Sequence, residues 1–390
     1  MTIGHLDEAD GRHGGTTPLS RVASERTTLI ESAIAASLAA HRTQRRDAAK
    51  QRLRSRRRRL IVLAGVLVVA SIVLAGALVM ADGRAPAVRS DAHGHISGRH
   101  AVVASPWPPR IKPVFQHPLS GEGVWRRTGP LVDGRRAVLV TTFRPQLDNP
   151  SIVAYVAWFD HTRTALAYYP GASEPPGAAV RGPMMVPQDQ RWRLLATFNA
   201  GFVYKQGLNG STDNGRVNEP LHDGNATLLQ YKNGRVAIVK WSGGPNAGPN
   251  VACSRQSLAP IVWNGRLNPA LNTDPNSYEW GYTLGHVGLV WRTGIGIDRR
   301  GNLIFAVADS QTVFSLALIL QHAGAIRAME LDINPEWHTL ITYTHQHRQL
   351  VPTMVEPQPM QSATRYLTPD NRDFFAVYRR VPGPITVPFK

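Results

Sequence analysis

The 390-residue chain is poor in residues that staple or cluster chemistry. It has one cysteine, Cys253, so no intrachain disulfide and no multi-cysteine metal site can form. Lysine is scarce, six of 44 basic residues. Against 27 acidic residues the formal net charge is +17. The 34 glycines and 29 prolines make about one residue in six, too few for a collagen-like or low-complexity chain. The sequence lacks a phosphate-binding P-loop, a serine nucleophile elbow, zinc-finger spacing and an RNA-recognition signature. The excess charge is also dispersed. Residues 1–59 hold thirteen basic and six acidic side chains, and the rest is spread thinly over 60–390. No nucleic-acid partner is expected.

What is present begins with Leu60 to Ala81, 22 residues without a charge. As a helix the run measures about 33 Å, matching a bilayer core of about 30 Å. Nine basic residues lie just before it, between Arg45 and Arg59. That asymmetry predicts an uncleaved signal anchor, with the N-terminus cytoplasmic and everything after 82 outside. The expected organisation is a basic, partly helical cytoplasmic leader (1–59), a transmembrane helix (60–81), a Pro/Gly-rich stalk (82–134) and an exported domain (135–382). The expected location is the plasma membrane, crossed once, with the bilayer as a partner through 60–81.

From 135 on, short β-branched and aromatic runs bounded by Gly, Asn, Asp or Pro predict strands. They fall at 136–143, 152–159, 164–169, 193–198, 226–231, 235–241, 259–263, 302–308, 326–332 and 374–379. One helix is expected over 312–323, with Thr312 as N-cap, Gly324 as stop and apolar residues on every face. The fold class is α+β: a mixed-sheet, mostly β domain with an embedded strand–helix–strand unit.

Three stretches carry chemistry. In a strand over 326–332, Glu330 and Asp332 share a face about 7 Å apart along the backbone. Two buried acids are costly unless paired or used, and paired carboxylates suit acid and base roles in glycoside cleavage. Structural ion pairs are the alternative. The strand ending at Asn199-Ala200-Gly201-Phe202 offers an amide and a close backbone approach, or simply a turn. Arg292, in Trp291 to Asp298, can clamp a phosphate or carboxylate in bidentate fashion, or serve as an ion-pair partner. The stretch Gly294-Ile295-Gly296 lacks the third glycine of a dinucleotide fingerprint. His222 lies beside a loop, 207–225, that could form a lid. His345 and His347 have same-face strand spacing.

Taken in order, these stretches resemble the phosphodiester glycosidase family, including its bacterial, exopolysaccharide-associated members. Asn199-Ala200-Gly201-Phe202-Val203 is similar to the family's Asn-Gly-Gly-Phe-Phe motif. Arg292-Thr293-Gly294-Ile295-Gly296 is similar to its Arg-Thr-Ala-Ile-Gly motif. An apolar helix and Gly-Ala turn follow at 313–325. Leu331-Asp332-Ile333-Asn334 matches Leu-Asp-Gly-Gly only in part. The resemblance covers roughly 190–345. It implies a glycosidase-like domain acting on a sugar phosphodiester, with Asp332 as main carboxylate and Glu330 or Glu336 as its acid or base partner. Arg292 would hold phosphate, while Asn199, Gly201 and Phe202 would orient the sugar. Where the family has glycines, this chain has Ile333, Asn334, Pro335, Glu336 and Trp337. Pro335 donates no amide, which speaks against a phosphate cradle there. Asn334, Trp337 and His222 join the substrate-binding candidates, Trp337 as a stacking face.

The expected function is therefore a membrane-anchored cell-envelope hydrolase acting on a sugar phosphodiester or related glycosidic bond. The alternative is a non-catalytic envelope glycan-binding protein of the same fold, and a third reading is a scaffold acting through its cytoplasmic helix. The partner is an envelope glycan or sugar phosphate. No cofactor is called for, and a divalent metal is left open.

Overall fold

A computed structural model describes residues 107–206, 209–271, 280–281, 288–347 and 349–383. The leader (1–59) and the apolar run (60–81) lie outside the described residues. A compact unit spans 101–390, and its described part is mostly β.

Its centre is a sandwich. One sheet has eight strands in the order β1 (Arg126–Val132), β2 (Arg135–Phe143), β3 (Ala154–Phe159), β14 (Leu303–Gln311), β13 (Val290–Ile297), β15 (Arg327–Glu330), β11 (Val262–Trp263), β12 (Arg266–Leu267). A second sheet has the order β17 (Gln349–Met354), β16 (Leu340–Gln346), β5 (Leu194–Asn199), β18 (Phe374–Arg379), β4 (Thr164–Tyr169). The third runs β7 (Arg216–Glu219), β6 (Ser211–Asp213), β10 (Val251–Gln256), β8 (Ala226–Tyr231), β9 (Val236–Lys240). The main core lies between them, with Ile295, Phe305 and Met329 from the first sheet against Phe198 and Phe375 from the second and Leu228 and Ile238 from the third.

The other face of the first sheet is covered by α1 (Val313–His322). This double coverage explains the near-continuous apolar sequence of β14. Leu303, Phe305 and Val307 enter the main core, while Ile304, Ala306 and Ala308 pack under the helix. Thr312 caps α1 in a reciprocal pair with Ser315. In β13, a Cβ on Gly294 would lie 2.8 Å from Leu320 Cδ1, and one on Gly296 2.6 Å from Ala325 Cβ. Gly294 lets the helix lie on the sheet, and Gly296 makes room for the turn that leads from the helix into β15.

Several expectations are corrected. Every strand pair among the described residues is antiparallel, so the sheets are not mixed. The strands flanking α1, β14 and β15, run parallel to each other but are separated by β13, which pairs with both. The segment expected as a stalk contributes β1, and Ile111 before it is buried against the domain with its amide donating to Gly123 O. The helix is not buried all round, since Leu318 is 41% exposed. The loop 207–225 holds the hairpin β6–β7, turned at Asn214 and Gly215. His347 leaves its strand in a left-handed turn (φ 48°), so it does not share a strand face with His345. The strand expected over 326–332 ends at Glu330.

Candidate active site

That early end creates the site. Beyond Glu330 the chain leaves the eight-stranded sheet and crosses to the second one. Thr293 N and Oγ1 donate to Asp332 O at 3.3 and 2.7 Å, and Asp332 N donates to Ala200 O at 3.2 Å. Asp332 is thereby pinned where β15, β13 and β5 converge. Its Oδ1 accepts from Asn334 N at 3.0 Å, and its Oδ2 accepts from Arg372. Arg372 also donates to Gly201 O at 3.3 Å, and its buried Nε has no partner.

Glu330 goes the other way. With Arg292, it lies on the helix side of the sheet, fully buried and paired through Oε1. Burial raises its carboxyl pKa to about 7; Arg292 opposes the rise and Asp332 adds to it. Its Oε2 has no partner. Arg292 also donates to Gln311 O at 2.8 Å and Trp280 O at 3.1 Å. It is therefore a buried ion-pair partner, in place of the expected phosphate clamp.

Asn199 spends its amide on the protein. Nδ2 donates to Ala200 O and Thr293 Oγ1, both at 2.9 Å, and Oδ1 accepts from Thr339 N at 3.1 Å. It ties three strand ends together, and nothing remains to orient a sugar. Gly201 is needed for a different reason: a Cβ there would lie 3.3 Å from the guanidinium carbon of Arg255. Phe202 is buried and offers its carbonyl to Arg255 NH2 at 2.7 Å. Asn334 is half-buried and shapes the turn, accepting from Glu336 N at 2.9 Å. Glu336 is exposed. Trp337 is half-buried, with the guanidinium groups of Arg365 and Arg372 at 5.1 and 5.5 Å from its ring centre. Those cations occupy the ring expected to stack on a sugar. His222 sits on the loop after β7 and exchanges backbone hydrogen bonds with the Gln256 side chain at 2.8 and 3.0 Å.

A second layer was not read from the sequence. Arg255 is fully buried and donates to Asp373 Oδ2, Gln256 O and Phe202 O, each at 2.7 Å. Asp373 Oδ2 also accepts from Tyr168 OH at 2.9 Å, while its Oδ1 is unpartnered. Glu174 accepts from Tyr204 N at 3.2 Å. Burial raises its pKa, and the nearby Asp373 carboxylate adds to the rise. Asn371-Arg372-Asp373 just ahead of an apolar strand was the available signal, because charged residues entering a core strand need partners. Among the described residues no group of three or more His, Cys, Asp or Glu is placed to hold a metal.

The structure thus brings Asp332, Arg372, Gly201 and Asn199 together at one end of the sandwich, and leaves the Glu330–Arg292 pair apart from them on the helix side of the sheet. A carboxylate beside a guanidinium can position water and an anionic group together.

Residues 178–332 match the family model of phosphodiester glycosidases, which bears out the resemblance over that span. No curated protein matches the chain. Similar solved structures include the zebrafish N-acetylglucosamine-1-phosphodiester alpha-N-acetylglucosaminidase catalytic domain auto-inhibited by its pro-peptide. It is 15% identical, with 66% of this chain and 88% of that one covered and a TM-score of 0.42. A hypothetical protein from Synechocystis is 12% identical, with 65% and 64% covered and a TM-score of 0.33.

Proposed function

We propose, from the match of residues 178–332 to the phosphodiester glycosidase family model, that this protein hydrolyses a sugar phosphodiester or related glycosidic bond. We place it in the cell envelope, anchored through residues 60–81, in the company of exopolysaccharide-associated members of the family. The observation that carries the reading is Asp332, held at the crossing between two sheets with Arg372 on one oxygen. Water attacks the anomeric carbon and gives its proton to Asp332. The bond from that carbon to the phosphate oxygen breaks, and its electron pair leaves with the phosphate. A phosphate monoester leaves without prior protonation, its second pKa being about 6, so a single carboxylate acting as base suffices. Arg372 takes the place expected of Arg292 in receiving the phosphate. Glu330, shut away under the helix, acts only by fixing Arg292.

The test is release of sugar from glycosyl phosphodiesters by the full chain. Asp332→Asn is expected to lower kcat by at least about a hundredfold. Equal turnover by both proteins would remove Asp332 from the reaction.

One observation favours the glycan-binding alternative. Both oxygens of Asp332 already accept hydrogen bonds from the protein. On that reading glycan is retained without cleavage, and Asp332→Asn still retains it.

A further inference from the structure

The end of the sandwich opposite Asp332 is a single basic surface. Strand β18 starts beside Asn199 and finishes at Arg379, so the two ends lie roughly 20 Å apart along it. At the far end the turns are joined by contacts: Arg380 donates to His161 O and Asn233 O, His161 bonds Asn302, and Arg379 reaches Asp133 at 3.8 Å. The turn into β2 supplies exposed Arg135 and Arg136, and the β13–β14 turn exposed Arg299 and Arg300. The β8–β9 hairpin adds Lys232 and Arg235, the latter stacked on Tyr231 at 4.1 Å. With Arg163, Arg379 and Arg380 that makes nine cations, against the carboxylates of Asp133, Asp160 and Asp298. A cavity of about 730 Å³ opens among Tyr231, Lys232, Asn233, Arg235, Asn250 and Gly383.

The described chain also begins there, with Arg136 lying 4.7 Å over the ring of Trp107. Residues 82–106, between the proposed anchor and Trp107, could span at most roughly 90 Å. We propose that this basic end docks on an anionic phospholipid surface, so that the Asp332 end faces away from the bilayer. The proposal rests on the anchored reading of residues 60–81. Guanidinium groups spread over five turns suit a plane of phosphates, and the tether begins on the face that would lie against it.

The full chain is placed in nanodiscs of phosphatidylcholine, with or without roughly one-third phosphatidylglycerol and a headgroup nitroxide lipid. A fluorophore is carried at Asn250→Cys or, at the other end, at Met360→Cys; Cys253 is buried and stays unlabelled. In anionic discs quenching at 250 is expected to exceed that at 360 by at least about twofold, and to fall level in high salt and with Lys232→Glu, Arg235→Glu and Arg299→Glu combined. Equal quenching of both labels in anionic discs, or indifference to charge reversal, overturns the docking. Extraction of the chain from membranes by alkaline carbonate overturns the anchor instead. Sedimentation of the extracted chain with anionic vesicles then decides the docking, and its failure, or retention only on a polyanionic polysaccharide, overturns it.

Discussion

At the scale of single residues, the site is built from acid–arginine pairs whose members have different freedom. Glu330 has nothing but Arg292 to compensate its charge. Replacing Arg292 by Met leaves a buried carboxyl that must take up a proton or stay uncompensated, and such losses run to about 3–5 kcal/mol. The deficit should depend on pH. Without the cation, Glu330 titrates above about 7, so Arg292→Met should lose more stability at pH 8 than at pH 5. Denaturant melts of the full chain at both values check this, and an equal deficit would deny the pair its electrostatic role. The sequence made Glu330, Asp332 and Arg292 legible because acids near an apolar strand are conspicuous. It did not reveal that the two acids part company, since that depends on Asp332 being drawn to Ala200 of another sheet. Arg372 and Asp373 carried one local signal, charged residues just ahead of an apolar strand, but their partners and those of Arg255 lie mostly 40 to 205 positions away in sequence, contacts no local pattern encodes.

At the scale of elements, α1 was legible to within a residue at each end. Its cap and stop are local chemistry, Thr312 with Ser315 and a left-handed Gly324. The meaning of the glycines in Arg292-Thr293-Gly294-Ile295-Gly296 was not, because their constraint comes from the helix and the turn after it, packed across them. Gly296→Ala should cost about 1–3 kcal/mol by overpacking, since the added carbon meets Ala325 Cβ at 2.6 Å and the Arg327 carbonyl at 3.1 Å, neither of which can swing aside. Gly294→Ala should cost less: both sites face a backbone carbonyl at 3.1 Å, but the nearest obstacle at Gly294 is the flexible Leu320 Cδ1, at 2.8 Å. Thermal melts of the two variants rank them, and the reverse order would place the helix contact elsewhere. Strand β1 escaped the sequence reading because the prolines before it suggest a stalk. Yet Arg126–Val132 is an edge strand in which only Val132 is buried, so it shows no apolar signal.

At the scale of the whole molecule, three sheets share a core that only long-range pairing could reveal. The strand runs were visible one by one, but their order was not. That shared core buries titratable groups, which sets how stability changes with pH. Glu356 is 3% exposed. Its Oε1 accepts from Leu340 N at 2.8 Å, its Oε2 is unpartnered, and burial raises its pKa from 4.5 to about 8. Glu330 is raised to about 7. An acid with a raised folded pKa stabilises fully below its unfolded value, and that contribution is lost as pH climbs through the folded one. His338 works in the opposite sense. Burial lowers it from 6.5 to about 4, so its contribution is present above 6.5 and is lost as pH falls toward 4. Between pH 6.5 and 8 only the two glutamates among these three still titrate, so the melting temperature should fall as pH rises across that window. Glu356→Gln keeps an oxygen for the Leu340 amide and removes the ionisation, and it should flatten most of the decline. Calorimetry of wild type and variant from pH 6 to 9 measures this. Parallel curves would mean that Glu356 reaches water when it ionises, and that the seam between β16 and β17 opens more readily than its burial implies.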